Sequence, residues 1–463
     1  MSFATRLEQF ADQPAVIADD GSRLSYAGLA QAADRVFASP GAPAAPRTLI
    51  AVECDNTLPA LCGYLGALRA GHPALLVDAG LPDDLRRHLY RHYQVATVWQ
   101  AGGTWAGQGC SPPPLHAELT LLLSTSGSTG AAKLVRLSLR NLQANADSIA
   151  AYLELTAAER PITALPMHYS FGLSVINSHL AVGATLLLTA HSIAARPFWD
   201  FLRQQEATSF SGVPEMYLML RRLRFERMAL PSLRTLTQAG GRLDAEQVRW
   251  FAALCAERGQ RFFVMYGQTE GTARLAYVPH QRLPEKASTI GIAIPGGAFE
   301  LVDESGHAIA GAGTRGELVY RGPNVMLGYA SCAGDLAAGD ALHGVLRTGD
   351  IAWRDDDGFY SIAGRLKRFI KIFGNRIGLD EAEALLRAAG HDVVVTGRDG
   401  LLAIAVKDPQ ADAERIATEA SARLRLHRSA IRAVHTAEIP LSGNGKPRYE
   451  ELLREIAPAA EGG

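Results

Sequence analysis

The sequence predicts an α/β fold with a large N-terminal domain of parallel αβα sheets, a small β-rich subdomain and a small α+β C-terminal domain. Three observations lead there. Strand and helix signals alternate through the first three hundred residues, which is the pattern of parallel sheets covered by helices. From Phe299 to about Ile362 the texture changes to short β runs, such as Glu317–Tyr320 and Phe359–Ile362, cut by Gly, Asp and Pro turns. After Gly364 the composition turns basic, with Arg365, Lys367, Arg368 and Lys371 close together. The expected boundaries are 1–364 for the core, 299–363 for its β-rich part, and 365–463 for the last domain.

The elements follow in order. Ser25 to Val36 has a serine cap and spaced apolar residues, so it predicts a helix. Thr48–Glu53 is a short β-like run. Leu58–Ala70 reads as a helix closed by Gly71, and Ala74–Asp78 as the buried strand after it. Three consecutive prolines make Gly109–Pro114 a loop. Leu119–Ser124 predicts a buried strand and Leu139–Leu153 a helix. Ala184–Leu188, Pro197–Gln205 and Phe262–Met265 repeat the strand, helix, strand alternation.

Composition narrows the class. With 48% hydrophobic and 20% charged residues the 463-residue chain can fill a large core. Its 46 basic and 47 acidic side chains leave a net charge of −1, which gives no electrostatic reason to expect nucleic acid or an anionic membrane as a partner. The five cysteines are scattered, without a CxxC pair, which points to a reducing cytoplasm rather than to zinc or disulfides. Charges interrupt the N-terminus where a signal peptide needs an apolar stretch. No apolar run approaches the ~20 residues of a membrane span.

Four stretches carry chemistry. Thr125-Ser126-Gly127-Ser128-Thr129-Gly130-Ala131-Ala132-Lys133 follows an apolar strand and precedes a helix starting near Ser138. Glycines let backbone N–H groups approach an anion, hydroxyls donate to it, and a lysine neutralises it. It is not a Walker A loop, because no Gly-Lys-Ser/Thr ends it. Tyr266-Gly267-Gln268-Thr269-Glu270, again after a strand, offers an aromatic face, a hydroxyl and a magnesium-competent carboxylate. Alone, it reads equally well as a core tyrosine and a solvated charge. Thr348-Gly349-Asp350 and Gly364-Arg365 pair a ribose-competent carboxylate with a phosphate-competent guanidinium, or form two turns with a surface ion pair. Pro440-Leu441-Ser442-Gly443-Asn444-Gly445-Lys446 places a lysine on a glycine-rich loop, which by itself is an exposed turn.

Together and in this order, the four resemble the acyl-adenylate-forming (AMP-dependent) synthetases and ligases, which include acyl-CoA synthetases, luciferases and nonribosomal peptide synthetase adenylation domains. The resemblance covers nearly the whole chain. It implies that Thr125, Ser126, Gly127, Ser128, Thr129, Gly130 and Lys133 hold the β- and γ-phosphates of ATP. The usual proline before the lysine is Ala132, and the usual glycine after it is Leu134. Gly240, Gly241 and Arg242 match the segment against adenine, and Tyr266 with Gly267 the stacking face. Thr269 matches an α-phosphate contact, Glu270 the magnesium carboxylate, Asp350 the ribose ligand and Arg365 its partner. Lys446 matches the lysine between substrate carboxylate and α-phosphate. The resemblance makes the C-terminal domain a mobile lid, hinged at Lys367, which presents Lys446 in one pose. In the other, Lys371 lines the entry of a pantetheine thiol. ATP, Mg²⁺ and coenzyme A or phosphopantetheine are thus the expected cofactors, with a separate carrier protein as a possible partner.

Pro166 to Ser174 resembles the border of the acyl pocket, with His168, Tyr169, Phe171 and Val213 as its expected lining. Amino-acid-activating relatives carry an Asp aligned with Gly172. Without it, a substrate ammonium would be buried unpaired. The expected substrate is therefore a small-molecule carboxylic acid lacking a free α-amino group. Adenylation with transfer to an amine, and a catalytically silent nucleotide binder, are the alternatives. Keeping Lys133, Glu270, Asp350, Arg365 and Lys446 together argues against the silent one.

Overall fold

The structure is a computed structural model that describes residues 2–44, 47–124, 133–365, 368–372, 375–424, 426–441 and 447–457. The chain forms two compact units, Met1–Phe299 with Tyr320–Leu346, and Glu300–Val319 with Arg347–Gly463.

The first unit is built on two sheets. In the seven-stranded one, Leu119–Ser124, Ala74–Asp78, Ile50–Cys54 and Thr97–Trp99 run parallel side by side. In the nine-stranded one, a parallel run extends from Arg261–Tyr266 through Thr235–Gln238, Ser209–Gly212, Pro161–Ile162 and Leu186–Leu188 to Pro14–Ala18. Antiparallel strands close both edges. The α/β expectation therefore holds, with parallel interiors and antiparallel rims.

Local chemistry sets the helix ends. Ser25 caps Tyr26–Ala38 by accepting from Gly28 N–H. Leu58–Ala70 stops at Gly71, whose φ of 76° suits glycine. Ser138 caps Leu139–Leu153 through a reciprocal pair with Asn141. The helix begins where expected, at Ser138. Before it, Leu134–Ser138, unassigned from sequence, is a fully buried strand, antiparallel to Leu119–Ser124 with Ser124 opposite Leu134. Its run of Leu, Val and Leu is apolar enough to sit inside a sheet, so the Ser/Gly-rich residues 125–132 join two paired strands. Those residues lie outside the described part of the chain.

The second unit is α+β. It holds most of a four-stranded sheet, in which Val345–Arg354 pairs antiparallel with Tyr360–Arg365. A short ladder of Phe369–Ile372 and Asn375–Gly378 follows. Three strands, Val393–Arg398, Leu401–Val406 and Ile431–His435, pack with the helices Leu379–Ala388 and Ala413–Leu424 around Ile404, Val395, Leu386 and Ile416. Among the described residues no helix is long and apolar enough to cross a membrane.

Candidate active site

The first unit gathers its polar groups where the parallel strands end. After Arg261–Tyr266 the chain enters a tight turn. Gly267 is required there by its own surroundings, since a Cβ would lie 1.7 Å from the Ala273 carbonyl oxygen. Thr272 takes a φ of 68°, a strained value for a β-branched residue. Hydrogen bonds hold the strain in place. Thr272 Oγ1 donates to Asn324 O, and Asn324 Nδ2 donates to the carbonyls of Gly271 and Arg274. Met326 N–H donates to Glu270 O. The stretch 324–329 is thereby fastened to the turn that carries Thr269 and Glu270.

This fastening delivers Tyr329. Its hydroxyl donates to Glu270 Oε1 at 2.7 Å, and Lys133 Nζ lies 3.8 Å from the centre of its ring. Lys133 and Glu270, 137 positions apart in sequence, thus meet on one aromatic side chain. Burial of the ring, and next the Glu270 charge, push the Tyr329 hydroxyl well above its usual pKa, so it stays a donor. On the other side of the turn, Thr269 Oγ1 sits 3.2 Å from Ser170 Oγ at the start of the Ser170–Ala181 helix. Tyr266 accepts from Gln268 Nε2 at 3.2 Å.

A second cluster forms around Gly240. A Cβ there would lie 2.6 Å from Tyr169 Oη and 3.0 Å from Val213 Cγ1, so these three expected residues are in direct register. Gln238, wholly buried, donates to the carbonyls of Ala239 and Gly241 and fixes the glycine turn. Arg242 is exposed beside it. Phe171 packs edge-on to Tyr169, with ring centres 6.3 Å apart. His168 belongs to another neighbourhood. Its Nε2 is 4.0 Å from Asp78 Oδ2, and burial pushes its pKa down despite that carboxylate. Gly172 is sealed: a Cβ would meet Pro166 O at 2.3 Å and Leu165 O at 2.9 Å. No aspartate fits at that position on this backbone.

In the second unit, Asp350 and Arg365 face each other across the antiparallel pair, and Arg365 Nε donates to Asp350 Oδ1 at 3.0 Å. Asp350 is 2% exposed. Arg365 also lines a cleft of about 630 Å³ with Arg347, Arg368 and Asp380. Arg368 pairs with Asp380 and stacks on Tyr449 at 3.5 Å. Lys371 lies in the Phe369–Ile372 strand, opposite Arg376 in register. The expected phosphate-loop residues Thr125, Ser126, Gly127, Ser128, Thr129 and Gly130, the hinge Lys367 and the catalytic Lys446 lie outside the described residues.

Sequence reasoning missed Tyr329 and Asn324. Nothing in their identity announces a link to residue 270.

A magnesium ion fits this arrangement. Mg²⁺ keeps most of its waters and takes one or two carboxylates with phosphate oxygens. Glu270 is a carboxylate of the kind that could hold it, beside the hydroxyl of Tyr329.

Comparison with known proteins agrees. The profile of AMP-binding enzymes matches residues 102–330. The chain is 31% identical over 360 residues to an indoleacetate–CoA ligase of Aromatoleum aromaticum, covering 74% of this chain and 69% of that one. It is 33% identical over 276 residues to an L-proline–[L-prolyl-carrier protein] ligase of Pseudomonas fluorescens, covering 58% and 53%. Its fold matches an O-succinylbenzoate coenzyme A synthetase from Bacillus subtilis in complex with AMP, with a TM-score of 0.80, 20% identity and coverage of 97% and 98%. The chain belongs to the AMP-binding enzyme family.

Proposed function

We propose that this protein condenses a carboxylic acid lacking a free α-amino group with ATP, releasing pyrophosphate, and then transfers the acyl group to a thiol with release of AMP. It is an AMP-forming acid–thiol ligase using ATP, Mg²⁺ and coenzyme A. The observation that carries the reading is the meeting of Lys133 and Glu270 on Tyr329, next to Thr269 and Ser170.

The chemistry explains the need. An anionic carboxylate must attack an α-phosphate that is itself anionic, and charge gathers on the phosphate oxygens as it does so. Lys133 neutralises the departing phosphates, Thr269 donates to the α-phosphate, and Glu270 holds Mg²⁺, which offsets phosphate charge when bound. Asp350 accepts from the ribose hydroxyls and Arg365 orients Asp350. Lys446, from the lid at 365–463, bridges carboxylate and phosphate. Rotation at Lys367 then exchanges Lys446 for the Lys371 face and admits the thiol. The sealed Gly172 supports an acid without an α-ammonium, because the carboxylate that would pair with one has no room. A separate carrier protein bearing phosphopantetheine is the second acceptor, favoured by the similarity to the prolyl-carrier ligase.

The test is ATP–pyrophosphate exchange over a panel of carboxylic acids and α-amino acids, followed by thioester detection with coenzyme A. Exchange with carboxylic acids and not with α-amino acids is expected. Exchange with α-amino acids alone, or with no acid at all, overturns the reading.

A further inference from the structure

The first unit also buries polar groups that the site described above does not use. An internal cavity lies between the Ser170–Ala181 helix and the paired strands Ser209–Gly212 and Thr235–Gln238, lined among others by Ser178, His179, Ser209, Ser211, Thr237 and Arg274. It has room for about one water molecule, with about 10 Å³ of space for its centre. Ser211 lies on the strand Ser209–Gly212, which Val213 follows as the cap of the next helix, and Ser178 lies about two turns along the helix from Phe171. Arg274, on the cavity wall, stacks on Phe171, one of the residues expected to line the acyl pocket, so the cavity adjoins that expected pocket.

Two of its groups lack the partners that burial demands. His179 is 3% exposed. Its Nδ1 lies 2.8 Å from the Val175 carbonyl and so carries the proton, which leaves Nε2 as a bare acceptor without a hydrogen-bond partner. Burial pushes its pKa down to about 4, so the ring is neutral. Arg274 is 2% exposed, and among the described residues no carboxylate pairs with it. Among the described residues its guanidinium donates only to Ser174 Oγ, at 3.2 and 3.3 Å, and to the thioether of Met265, and it stacks on Phe171 at 3.9 Å. A hydroxyl and a thioether are poor acceptors for a buried cation. Arg136, equally buried, shows the contrast: it spends its donors on the carbonyls of Leu327, Tyr329, Ala338 and Gly339.

An unfilled acceptor and an under-used donor, around a space the size of one oxygen atom, are complementary to a hydroxyl group. A carboxylate would not serve as well, being larger and unable to donate to His179 Nε2. We propose that the acid substrate carries a hydroxyl at its far end, which donates to His179 Nε2 and accepts from the hydroxyls and the guanidinium of Arg274. The inference rests on the ligase reading above. From Ser170, beside Thr269, to Ser178 is eight residues of helix, about 12 Å. That is the reach of a medium-length aliphatic or aryl-alkyl acid.

The experiment compares matched acids on the intact enzyme: 3-phenylpropanoic with 3-(4-hydroxyphenyl)propanoic acid, and octanoic with 8-hydroxyoctanoic and octanedioic acid. Exchange kinetics and the shift in melting temperature are read for each. The wild type should favour the hydroxylated member by more than about tenfold in kcat/KM, since a site built around a hydroxyl rejects its absence. In His179→Leu and in Arg274→Met the ratio should fall below threefold. Equal or better use of the unsubstituted acid by the wild type, or a preference for the diacid, overturns the inference, and needs no variant to fold. So does a preference that survives both substitutions. Exchange without hydroxyl preference sinks this inference alone. A melting shift selective for hydroxy acids without any exchange sinks the ligase reading and leaves this site standing. Neither signal sinks both.

Discussion

Replacing Tyr329 by phenylalanine removes one oxygen and keeps the ring, which makes it the cleanest probe of the Lys133–Tyr329–Glu270 contact. A hydrogen bond to a charged group contributes about 1.5–3 kcal/mol when buried. Tyr329 is 37% exposed, so water takes over part of the role and the loss falls to about 1 kcal/mol. In rate that is about fivefold. Tyr329→Leu removes in addition the ring under Lys133, a further 0.5–1 kcal/mol at an exposed site, or about another two- to fivefold. The assay is ATP–pyrophosphate exchange at saturating acid with ATP and magnesium varied together, and thermal melting as a control for the fold. Because the hydroxyl's pKa is raised, the ratio of wild type to Tyr329→Phe should not change between pH 7 and 9. Both variants within twofold of wild type at every magnesium concentration would refute the view that Tyr329 joins the two charges in a working site.

The remaining expectations are these. Gly240→Ala puts a methyl 2.6 Å from Tyr169 Oη at a φ of 88°, so the KM for the acid should rise at least about tenfold and melting should fall by a few degrees. Adding Tyr169→Phe should restore part of the KM loss, and a strictly additive double variant would contradict the contact. Lys446→Ala should abolish exchange while the melting temperature holds. Lys371→Ala should leave exchange intact and slow thioester formation from preformed adenylate, and unchanged rates for both steps would rule out the two-pose account. His179 supplies a pH dependence. Its folded pKa of about 4 lies below the ordinary histidine value of 6.5, so between those pH values the unfolded chain binds the extra proton. Stability should be full above pH 6.5 and fall towards pH 4, by up to roughly 3 kcal/mol for this group. Urea unfolding at pH 7.5 and 5 should show a smaller drop for His179→Gln than for wild type; equal drops would assign the acid sensitivity elsewhere.

How far the sequence could be read depended on whether a feature was local. Leu58–Ala70, Leu119–Ser124 and Leu139–Leu153 lie where composition and caps put them, because serine, glycine and apolar spacing act within a turn or two. Asp350 and Arg365 were legible as a pair, and they are cross-strand neighbours. The Leu134–Ser138 strand was not, since a buried five-residue run at a helix cap has no period of its own. Tyr329 was also invisible as a site residue: it reaches Glu270 only because Asn324 and Met326 are tied to the turn after Tyr266. Gly267 carries a different lesson. Matched to the stacking face by resemblance, it is demanded by the Ala273 carbonyl.

Arg136 has a wider consequence. Its guanidinium is fastened to carbonyls on both sides of the Gly328–Ala330 strand, including that of Tyr329 itself. It acts as a non-covalent rivet at the rim of the seven-stranded sheet. Rim strands are the first to fray on heating. Arg136 therefore helps to hold Tyr329 on Glu270 through backbone carbonyls alone.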